Sequence, residues 1–380
     1  MRTPRPFGLS VGLIAVPLML AGGVAAIGPT AAGSVAAAGS VASAGSAAAA
    51  ARPRAAGPAA PFAVAGGLSG VAVVSASDAW AVGEAGSFPH YRTLIVRWNG
   101  TAWKRVPSPD PAGGGHLDGV AATSARSAWA VGATNGGQTL ILRWNGTAWK
   151  RVPGPGTGLS GVAATSSANA WAVGSAGPGR TLIVRWNGTS WRRVPSPGAA
   201  RGYLYGVSAA SPRSAWAAGE TAPGSGARTL MLRWNGTAWK RVSAAAPATG
   251  GFFGTAAISA GDAWAVGCRP ATCTSTLIER WNGRVWKRVP SPGRNGYFLT
   301  GIAAASARSA WAVGNIGGSA ALIERWNGRT WQHVPGPALN GGGLAGVTAF
   351  SARSAWAVGC ASGCTSTVIL RWNGSAWKLS

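Results

Sequence analysis

The tryptophans of this 380-residue chain recur at regular positions. All 21 fall into three series of seven, and the second and third members of each unit are always five residues apart. The series are Trp80, Trp129, Trp171, Trp216, Trp264, Trp311 and Trp356; Trp98, Trp144, Trp186, Trp234, Trp281, Trp326 and Trp372; and Trp103, Trp149, Trp191, Trp239, Trp286, Trp331 and Trp377. The chain therefore contains seven copies of one unit of 42 to 49 residues.

Each unit predicts four short strands, named A to D in chain order. In the second unit, strand A covers residues 119–123, strand B 128–131, strand C 139–144 and strand D 148–152. The Asn-Gly pair between C and D predicts a type I′ hairpin turn, because both residues accept a positive φ. Four strands in a unit of this length, with no helical periodicity, predict an all-β protein: a seven-bladed β-propeller with four antiparallel strands per blade.

The connections between these strands differ in how much their lengths vary. The A–B and C–D turns keep one length in all seven units, whereas the B–C and D–A connections vary. In an up-and-down blade the varying B–C and D–A connections share one face, here called the variable face, and the A–B and C–D turns form the opposite, uniform face. Because function commonly resides on variable loops, the variable face is the candidate binding face.

Aromatic and polar residues cluster where strand A opens, next to the predicted central channel. Strand A opens with Leu (once Phe), 12 residues before the first Trp of every unit. We expect a ligand site at the channel mouth, with ordinary loop packing as the alternative. Its candidate residues are His116, Asp118, Tyr203, Tyr205, Phe253, Tyr297 and Phe298.

The residues before the repeats have a different composition. Residues 1–27 carry Arg2 and Arg5 followed by an apolar run, the pattern of a signal peptide. An uncleaved membrane anchor is the alternative, because about 20 apolar residues can span a bilayer. Residues 28–66 are rich in Ala, Gly and Ser and predict a flexible linker, and residues 67–380 hold the propeller. We therefore expect a secreted, extracellular protein, either free or associated with the cell wall.

The repeats resemble those of secreted bacterial β-propellers of the kelch, galactose-oxidase central-domain and Asp-box types. The phrases that carry the resemblance are Asp-Ala-Trp-Ala-Val-Gly at 78–83 and Arg-Trp-Asn-Gly-Thr-Ala-Trp at 97–103, with their six counterparts. The units lack the Ser-x-Asp start of an Asp-box, the Gly-Gly pair of kelch repeats and the Trp-Asp of WD40 repeats. Because propellers host many unrelated activities, the resemblance implies the fold and no catalytic residue.

Basic residues also follow the repeat. An Arg ends strand C in every unit, and strand D carries basic pairs in the first five units. These pairs form the predicted basic rim: Lys104, Arg105, Lys150, Arg151, Arg192, Arg193, Lys240, Arg241, Lys287 and Arg288. Without the four arginines of the first 66 residues, 30 basic residues face 8 acidic ones, a formal charge of +22. Basic residues protect an edge strand from aggregation, but this does not explain why acids are so few.

Such a rim predicts attraction to polyanions through a field that salt screens. The expected partners are anionic cell-wall polymers, polysaccharide or another surface protein. We expect no specific nucleic acid, a membrane only if the N-terminal segment is uncleaved, and a monomer. The predicted function is a binding or scaffold module. The alternatives are a lectin-like carbohydrate binder, and a lyase or hydrolase at the channel mouth that depends on Asp118 and His116.

The four cysteines form two close pairs. Cys268 with Cys273, and Cys360 with Cys364, each bracket a B–C connection between Ala-Val-Gly and Thr-Ser-Thr. In an exported protein this predicts two disulfides. Zinc is the less favoured alternative, because no His is near either pair in sequence.

Catalysis is poorly supported by the sequence. The eight acidic residues are a thin set, and turn capping explains two of them, Asp78 and Asp262. The three histidines have no shared place in the repeat, so no metal or cofactor site is indicated. The tryptophans could stack on sugars, but their fixed spacing predicts packing between blades, with strand-end members such as Trp98 partly exposed.

Overall fold

Seven separate four-stranded sheets follow one another along the chain. The structure is a computed structural model and describes residues 61–380 except 88, 178, 198–200, 222–225, 246–248, 270–272 and 318. Within these residues the strands number 28, and each sheet keeps the order of its strands in the sequence, with antiparallel pairing throughout. Each sheet is one blade, with strand A at the central channel and strand D at the outer rim. The predicted seven-bladed propeller is confirmed.

The strands, numbered in chain order, have the following bounds. Blade 1 comprises β1 (Gly66–Ser75), β2 (Asp78–Ala85), β3 (Arg92–Trp98) and β4 (Trp103–Arg105). Blade 2 comprises β5 (Gly115–Ser124), β6 (Ser127–Thr134), β7 (Thr139–Trp144) and β8 (Trp149–Arg151). Blade 3 comprises β9 (Thr157–Ser166), β10 (Asn169–Ser175), β11 (Thr181–Trp186) and β12 (Trp191–Arg193). Blade 4 comprises β13 (Gly202–Ser211), β14 (Ser214–Thr221), β15 (Arg228–Trp234) and β16 (Trp239–Val242).

Blade 5 comprises β17 (Gly251–Ser259), β18 (Asp262–Arg269), β19 (Ser275–Trp281) and β20 (Trp286–Arg288). Blade 6 comprises β21 (Tyr297–Ser306), β22 (Ser309–Ile316), β23 (Ala320–Trp326) and β24 (Trp331–His333). Blade 7 comprises β25 (Gly343–Ser351), β26 (Ser354–Ala361), β27 (Ser366–Trp372) and β28 (Trp377–Leu379), with a 3₁₀ turn at Ser362–Cys364.

The tryptophans form the packing between blades. Trp80 of blade 1 lies against Trp144 and Trp149 of blade 2, with ring centroids 4.9 and 5.1 Å apart. The same triad recurs at every junction. All 21 tryptophans are at most 6% exposed. The predicted packing role is confirmed, and the expectation that Trp98 is partly exposed is wrong, because the Trp356 ring of blade 7 covers it.

The arginine at the end of each strand C covers this triad. The Arg97 guanidinium lies 4.7 Å from the Trp80 ring centroid and 5.5 Å from that of Trp144, so it faces two rings from adjacent blades. The other six members make the same double contact: Arg143, Arg185, Arg233, Arg280, Arg325 and Arg371. A cation over an aromatic face contributes about 0.5–2 kcal/mol, depending on desolvation. Seven of the basic residues therefore have a structural role.

The C–D turns differ from the predicted type I′ hairpin. Strands C and D pair last at Trp98 and Trp103, which leaves a four-residue turn. The Asn99 Oδ1 accepts hydrogen bonds from the backbone N–H groups of Thr101 (3.0 Å) and Ala102 (2.9 Å), and Gly100 alone in this turn has a positive φ, +98°. The type I′ prediction is wrong because the Asn side chain replaces the backbone as acceptor, which it can do at a negative φ.

Among the described residues, the ring closes without exchanging a strand between its ends. All four strands of blade 7 come from the C-terminal end of the chain, and Gly346 of its strand A lies against Ser69 and Gly70 of blade 1. Phe62 and Val64, at the end of the segment predicted as linker, pack against the junction of blades 7 and 1. The Phe62 N–H donates to the Ser380 carbonyl oxygen at 3.0 Å. The predicted signal peptide and residues 28–60 of the linker lie outside the described residues.

Truncating one member of a triad should weaken the whole ring. Trp264 is fully buried against Trp326 and Trp331, so we expect Trp264→Ala to lower the free energy of unfolding by about 3–5 kcal/mol. The measurement is the guanidinium midpoint followed by far-UV circular dichroism. The control is Val285→Ala, at a side chain that is 51% exposed, where a change within about 0.5 kcal/mol is expected. Equal midpoints for the two variants would contradict the packing role.

Candidate functional site

The seven A strands surround a cavity on the propeller axis. Its volume is about 170 Å³, and the residue after each opening Leu or Phe lines it. In chain order these residues are Ser69, Asp118, Ser160, Tyr205, Phe253, Thr300 and Ala345. Three of the predicted site residues, Asp118, Tyr205 and Phe253, therefore face the channel, and the remaining positions carry small side chains.

An acidic group lies at the junction of blades 1 and 2. The His116 Nε2 is 3.4 Å from the Asp118 Oδ2, and both side chains are largely buried. Glu84, near the end of strand B in blade 1, interacts with both residues. Burial and the nearby Asp118 charge raise the pKa of Glu84 to about 7, although His116 lowers it. Burial lowers the pKa of His116, but the hydrogen bond to Asp118 and the charges of Asp118 and Glu84 outweigh it, so the net shift is upward.

An aromatic group lies three blades away, on the nearly opposite side of the ring. The rings of Tyr203 and Tyr205 are stacked, with centroids 6.4 Å apart, and Phe253 of blade 5 contacts Tyr205 edge-on at 5.3 Å. The Tyr205 hydroxyl donates to the Glu220 Oε1 at 2.8 Å. Burial raises the pKa of Tyr205 and of Glu220, and the hydrogen bond from Tyr205 partly offsets the shift of Glu220.

Tyr297 and Phe298 do not join these groups. Tyr297 packs against the apolar core between blades 5 and 6, and Phe298 is half-buried and pairs in register with Asn315. Neither residue lines the channel cavity. Of the predicted aromatic residues, the structure thus brings together Tyr203, Tyr205 and Phe253.

The sequence analysis missed Glu84 and Glu220. Both occupy the position directly after Ala-Val-Gly or Ala-Ala-Gly on strand B, which pairs in register with the residue before the opening Leu. The seven residues at this position are Glu84, Ala133, Ser175, Glu220, Cys268, Asn315 and Cys360. Comparing this column across the repeats would have identified the two carboxylates as neighbours of the channel.

Most of the other acids are paired with arginine. The Asp78 carboxylate accepts hydrogen bonds from Nε and Nη2 of Arg97 at 2.8 and 3.0 Å, and Asp262 accepts two from Arg280, both at 2.8 Å. The expected turn-capping role of Asp78 and Asp262 is wrong, because their carboxylates reach across the sheet to the stacked arginine of strand C. Asp110 lies 3.6 Å from Arg92 on the variable face.

Glu279 and Glu324 are fully buried on strand C, where other blades carry Val or Leu. The Glu279 Oε2 accepts a hydrogen bond from the Ala245 N–H at 2.9 Å, and Glu324 accepts from the Ser291 hydroxyl at 2.8 Å. Both donors belong to the connection that leaves the preceding blade. These carboxylates therefore fix one blade to the next.

The predicted basic rim is exposed. In each strand D the Trp is buried and the two residues after it point to solvent. None of the rim residues is part of an ion pair among the described residues, where the acids are buried, arginine-paired or near the channel. Except at Arg288, whose charge interacts with the buried Glu279 of the same blade, the rim therefore presents positive charge without a local counter-charge among the described residues.

The cysteines pair as predicted. Cys268 and Cys273 form one disulfide, with Cα atoms 4.9 Å apart, and Cys360 and Cys364 form the other, with Cα atoms 4.7 Å apart. Each joins strand B to its B–C connection on the variable face.

A second cavity, of about 440 Å³, lies at the junction of blades 7 and 1, between Phe62, Arg353 and Lys378. Within the part of the chain that the structure describes, no group of three or more His, Cys, Asp or Glu could hold a metal ion. No helix among those same residues has the length and apolar character needed to cross a membrane.

Neither family models nor curated protein sequences give a match to this chain. Solved structures do. A structure described as YCF48 bound to D1 peptide is similar over 83% of this chain and 95% of its own, with a TM-score of 0.56 and 15% identity. YCF48 from Cyanidioschyzon merolae is similar over 82% of this chain and 97% of its own, with a TM-score of 0.58 and 18% identity. The WD40 propeller domain of Doa1 is similar over 84% of this chain and 96% of its own, with a TM-score of 0.57 and 11% identity. These likenesses show the propeller fold alone.

The buried carboxylate of Glu324 should make stability depend on pH. Burial raises its pKa from 4.5 to about 7, although the Ser291 hydrogen bond lowers it, so the folded state holds a proton that the unfolded chain releases above pH 4.5. The native state should therefore lose up to about 3 kcal/mol between pH 4.5 and 7 and little beyond. We expect Glu324→Leu to raise the midpoint of thermal unfolding more at pH 8 than at pH 5.

The matched control is Ser291→Ala, which removes the donor and keeps the carboxylate. This variant should retain the pH dependence. If Glu324→Leu and the parent protein change equally between pH 5 and 8, Glu324 is not the titrating group.

Proposed function

We propose that this protein is a secreted or cell-wall-associated binding propeller whose basic rim holds anionic surface polymers, while its variable face recognises a specific partner. The propeller fold itself supports a binding or scaffold role. The observation that carries the rim proposal is the exposed strand-D Lys and Arg pairs, which have no ion-pair partner among the described residues.

The structural arginines and the rim residues are two different sets of basic side chains. The seven stacked arginines of strand C belong to the blade junctions, so the attraction of a polyanion depends on the rim pairs and the exposed turn arginines. The rim pairs recur once in each of blades 1 to 5 around the outer edge. A long flexible polyanion can follow such an edge and contact several blades at once, which raises its affinity through multivalency.

The variable face supports the second part of the proposal. Its connections differ in length from blade to blade, and two of them are closed by disulfides, as expected for an exported protein. The structure of YCF48 bound to D1 peptide is a case in which a propeller of this fold holds a peptide. A protein or peptide at the cell surface is therefore the partner class that we propose for this face, with the propeller acting as a monomer.

The rim is tested with purified protein and a soluble anionic polysaccharide such as polygalacturonate. We expect binding to weaken roughly tenfold or more between about 50 and 200 mM salt, because each neutralised charge releases a counterion. Replacing Lys104, Arg105, Lys150 and Arg151 with Gln should reduce affinity at low salt and flatten the salt dependence. Binding is followed by isothermal titration calorimetry, with neutral dextran as the polymer control.

The matched control removes the same charge from the uniform face. Arg126, Arg213, Arg308 and Arg353 are exposed at A–B turns, and their replacement with Gln changes the net charge equally. An equal loss of affinity in both variants would show that net charge, and not the rim, attracts the polymer. Binding that resists salt would contradict the rim proposal outright.

A further inference from the structure

The carboxylates near the channel differ from all others in this protein. Asp78, Asp110 and Asp262 pair with arginine, and Glu279 and Glu324 are buried with donors from the preceding blade. The remaining three acids, Glu84, Asp118 and Glu220, lie where strands A and B open onto the variable face, and no Arg or Lys pairs with them among the described residues. The channel mouth is therefore locally acidic in a strongly basic protein.

Two of these carboxylates, Glu84 and Asp118, repel each other. Glu84 is largely buried, and the Asp118 charge disfavours its ionisation. His116 compensates in part through its contact with Asp118. A cation held between Glu84 and Asp118 would remove the repulsion, because an opposite charge at short range favours the ionised form of both groups.

The cavity also offers a surface for the apolar part of a ligand. Asp118 lines it on one side, and the aromatic residues Tyr205 and Phe253 line it on the other. Tyr203 stacks on Tyr205, and the hydrogen bond to Glu220 fixes the Tyr205 hydroxyl, so the aromatic wall is preorganised. Aromatic faces beside carboxylates suit a cation with an aliphatic stem, since the rings attract the charge and cover the methylenes.

We propose that the channel mouth on the variable face binds an organic cation, an ammonium or guanidinium group on an aliphatic stem, as lysine and arginine side chains carry. This inference rests on the proposed function only in placing specific recognition on the variable face. It concerns a ligand of opposite charge to that of the rim, so one protein binds a polyanion at its edge and a cationic group on its axis.

The positive rim does not prevent this. Rim and channel are separated by three strand spacings, about 14 Å. At physiological salt the screening length is about 8 Å, so the field of the rim is weak at the axis.

The test uses the full chain and three probes of one size: n-butylammonium, n-butanol and butyrate, followed by ligand-observed nuclear magnetic resonance. We expect n-butylammonium to bind best and butyrate not to bind. Asp118→Asn should weaken n-butylammonium binding roughly fivefold or more, the loss expected for one desolvated charge contact of about 1 kcal/mol. The matched control is Asp110→Asn, the same change on the same face at a carboxylate paired with Arg92, which should leave affinity within about twofold.

Affinity should also rise from pH 6 to pH 8, because Glu84 ionises in this range beside Asp118, His116 and Tyr91. The Glu84→Gln variant should lose most of this pH dependence, and the part that remains belongs to His116, whose pKa is also raised and whose loss of positive charge favours a cation in the same direction. A fourth probe, the peptide acetyl-Ala-Lys-Ala-amide, distinguishes the two kinds of ligand that carry such a cation. If the peptide binds more tightly than n-butylammonium, the ligand is a basic segment of a protein; if it binds equally, the ligand is a small amine.

The inference would be overturned if butyrate bound as tightly as n-butylammonium. It would also be overturned if Asp118→Asn and Asp110→Asn lost equal affinity for n-butylammonium. If Asp118→Asn does not fold, Phe253→Leu provides the same test, since it removes an aromatic face and keeps an apolar side chain. The rim proposal stands or falls separately, because its variants alter polysaccharide binding and leave n-butylammonium binding unchanged.

Discussion

The contact between tryptophans of adjacent blades is the interaction on which the rest of this structure depends. The first Trp of each blade is covered by the second and third Trp of the next, so no blade buries its own core. A single unit would expose large aromatic faces, and stability therefore comes from neighbours, as in other repeat proteins. The last contact, between Trp356 and the pair Trp98 and Trp103, closes the ring. This contact joins the first and last blades through side chains, and within the described part of the chain no strand is exchanged between them.

This packing divides the positive charge into two kinds. The strand-C arginines lie over tryptophan rings from two blades, and several also donate to a carbonyl of the next blade, as Arg280 does to Ala307 at 3.2 Å. Their recurrence follows from the junction geometry. Apart from Arg288, which interacts with Glu279, the strand-D pairs form no ion pair among the described residues, so packing between blades does not require their charge. The net charge calculated from the composition includes both kinds of basic residue, and only their contacts in the structure distinguish them.

The sequence predicted the fold because the fold is periodic. Fixed tryptophan spacing, constant turn lengths and the position of the opening Leu determine the blade count, the strand order and the variable face, and the cysteine pairs follow from the same alignment. Side-chain partners were harder to predict. The Asn99 carboxamide replaces a backbone turn, and the Asp78 carboxylate reaches a stacked arginine that no local pattern reveals. Glu84 and Glu220 were missed because they lie on strand B, while the search for the site followed strand A.

Residues that depart from the repeat differ in their surroundings, and these surroundings indicate the role of each residue. Four glutamates stand where most other blades have a small or apolar residue. Glu279 and Glu324 are fully buried and accept hydrogen bonds from the connection that leaves the preceding blade, so their carboxyl groups have a structural role at the blade junction. Glu84 and Glu220 open toward the channel mouth beside a second carboxylate or an aromatic wall. Burying a carboxylate near another costs stability unless a partner arrives. Here that free-energy cost falls at the central channel, where the seven A strands meet, and a cation bound there would offset it.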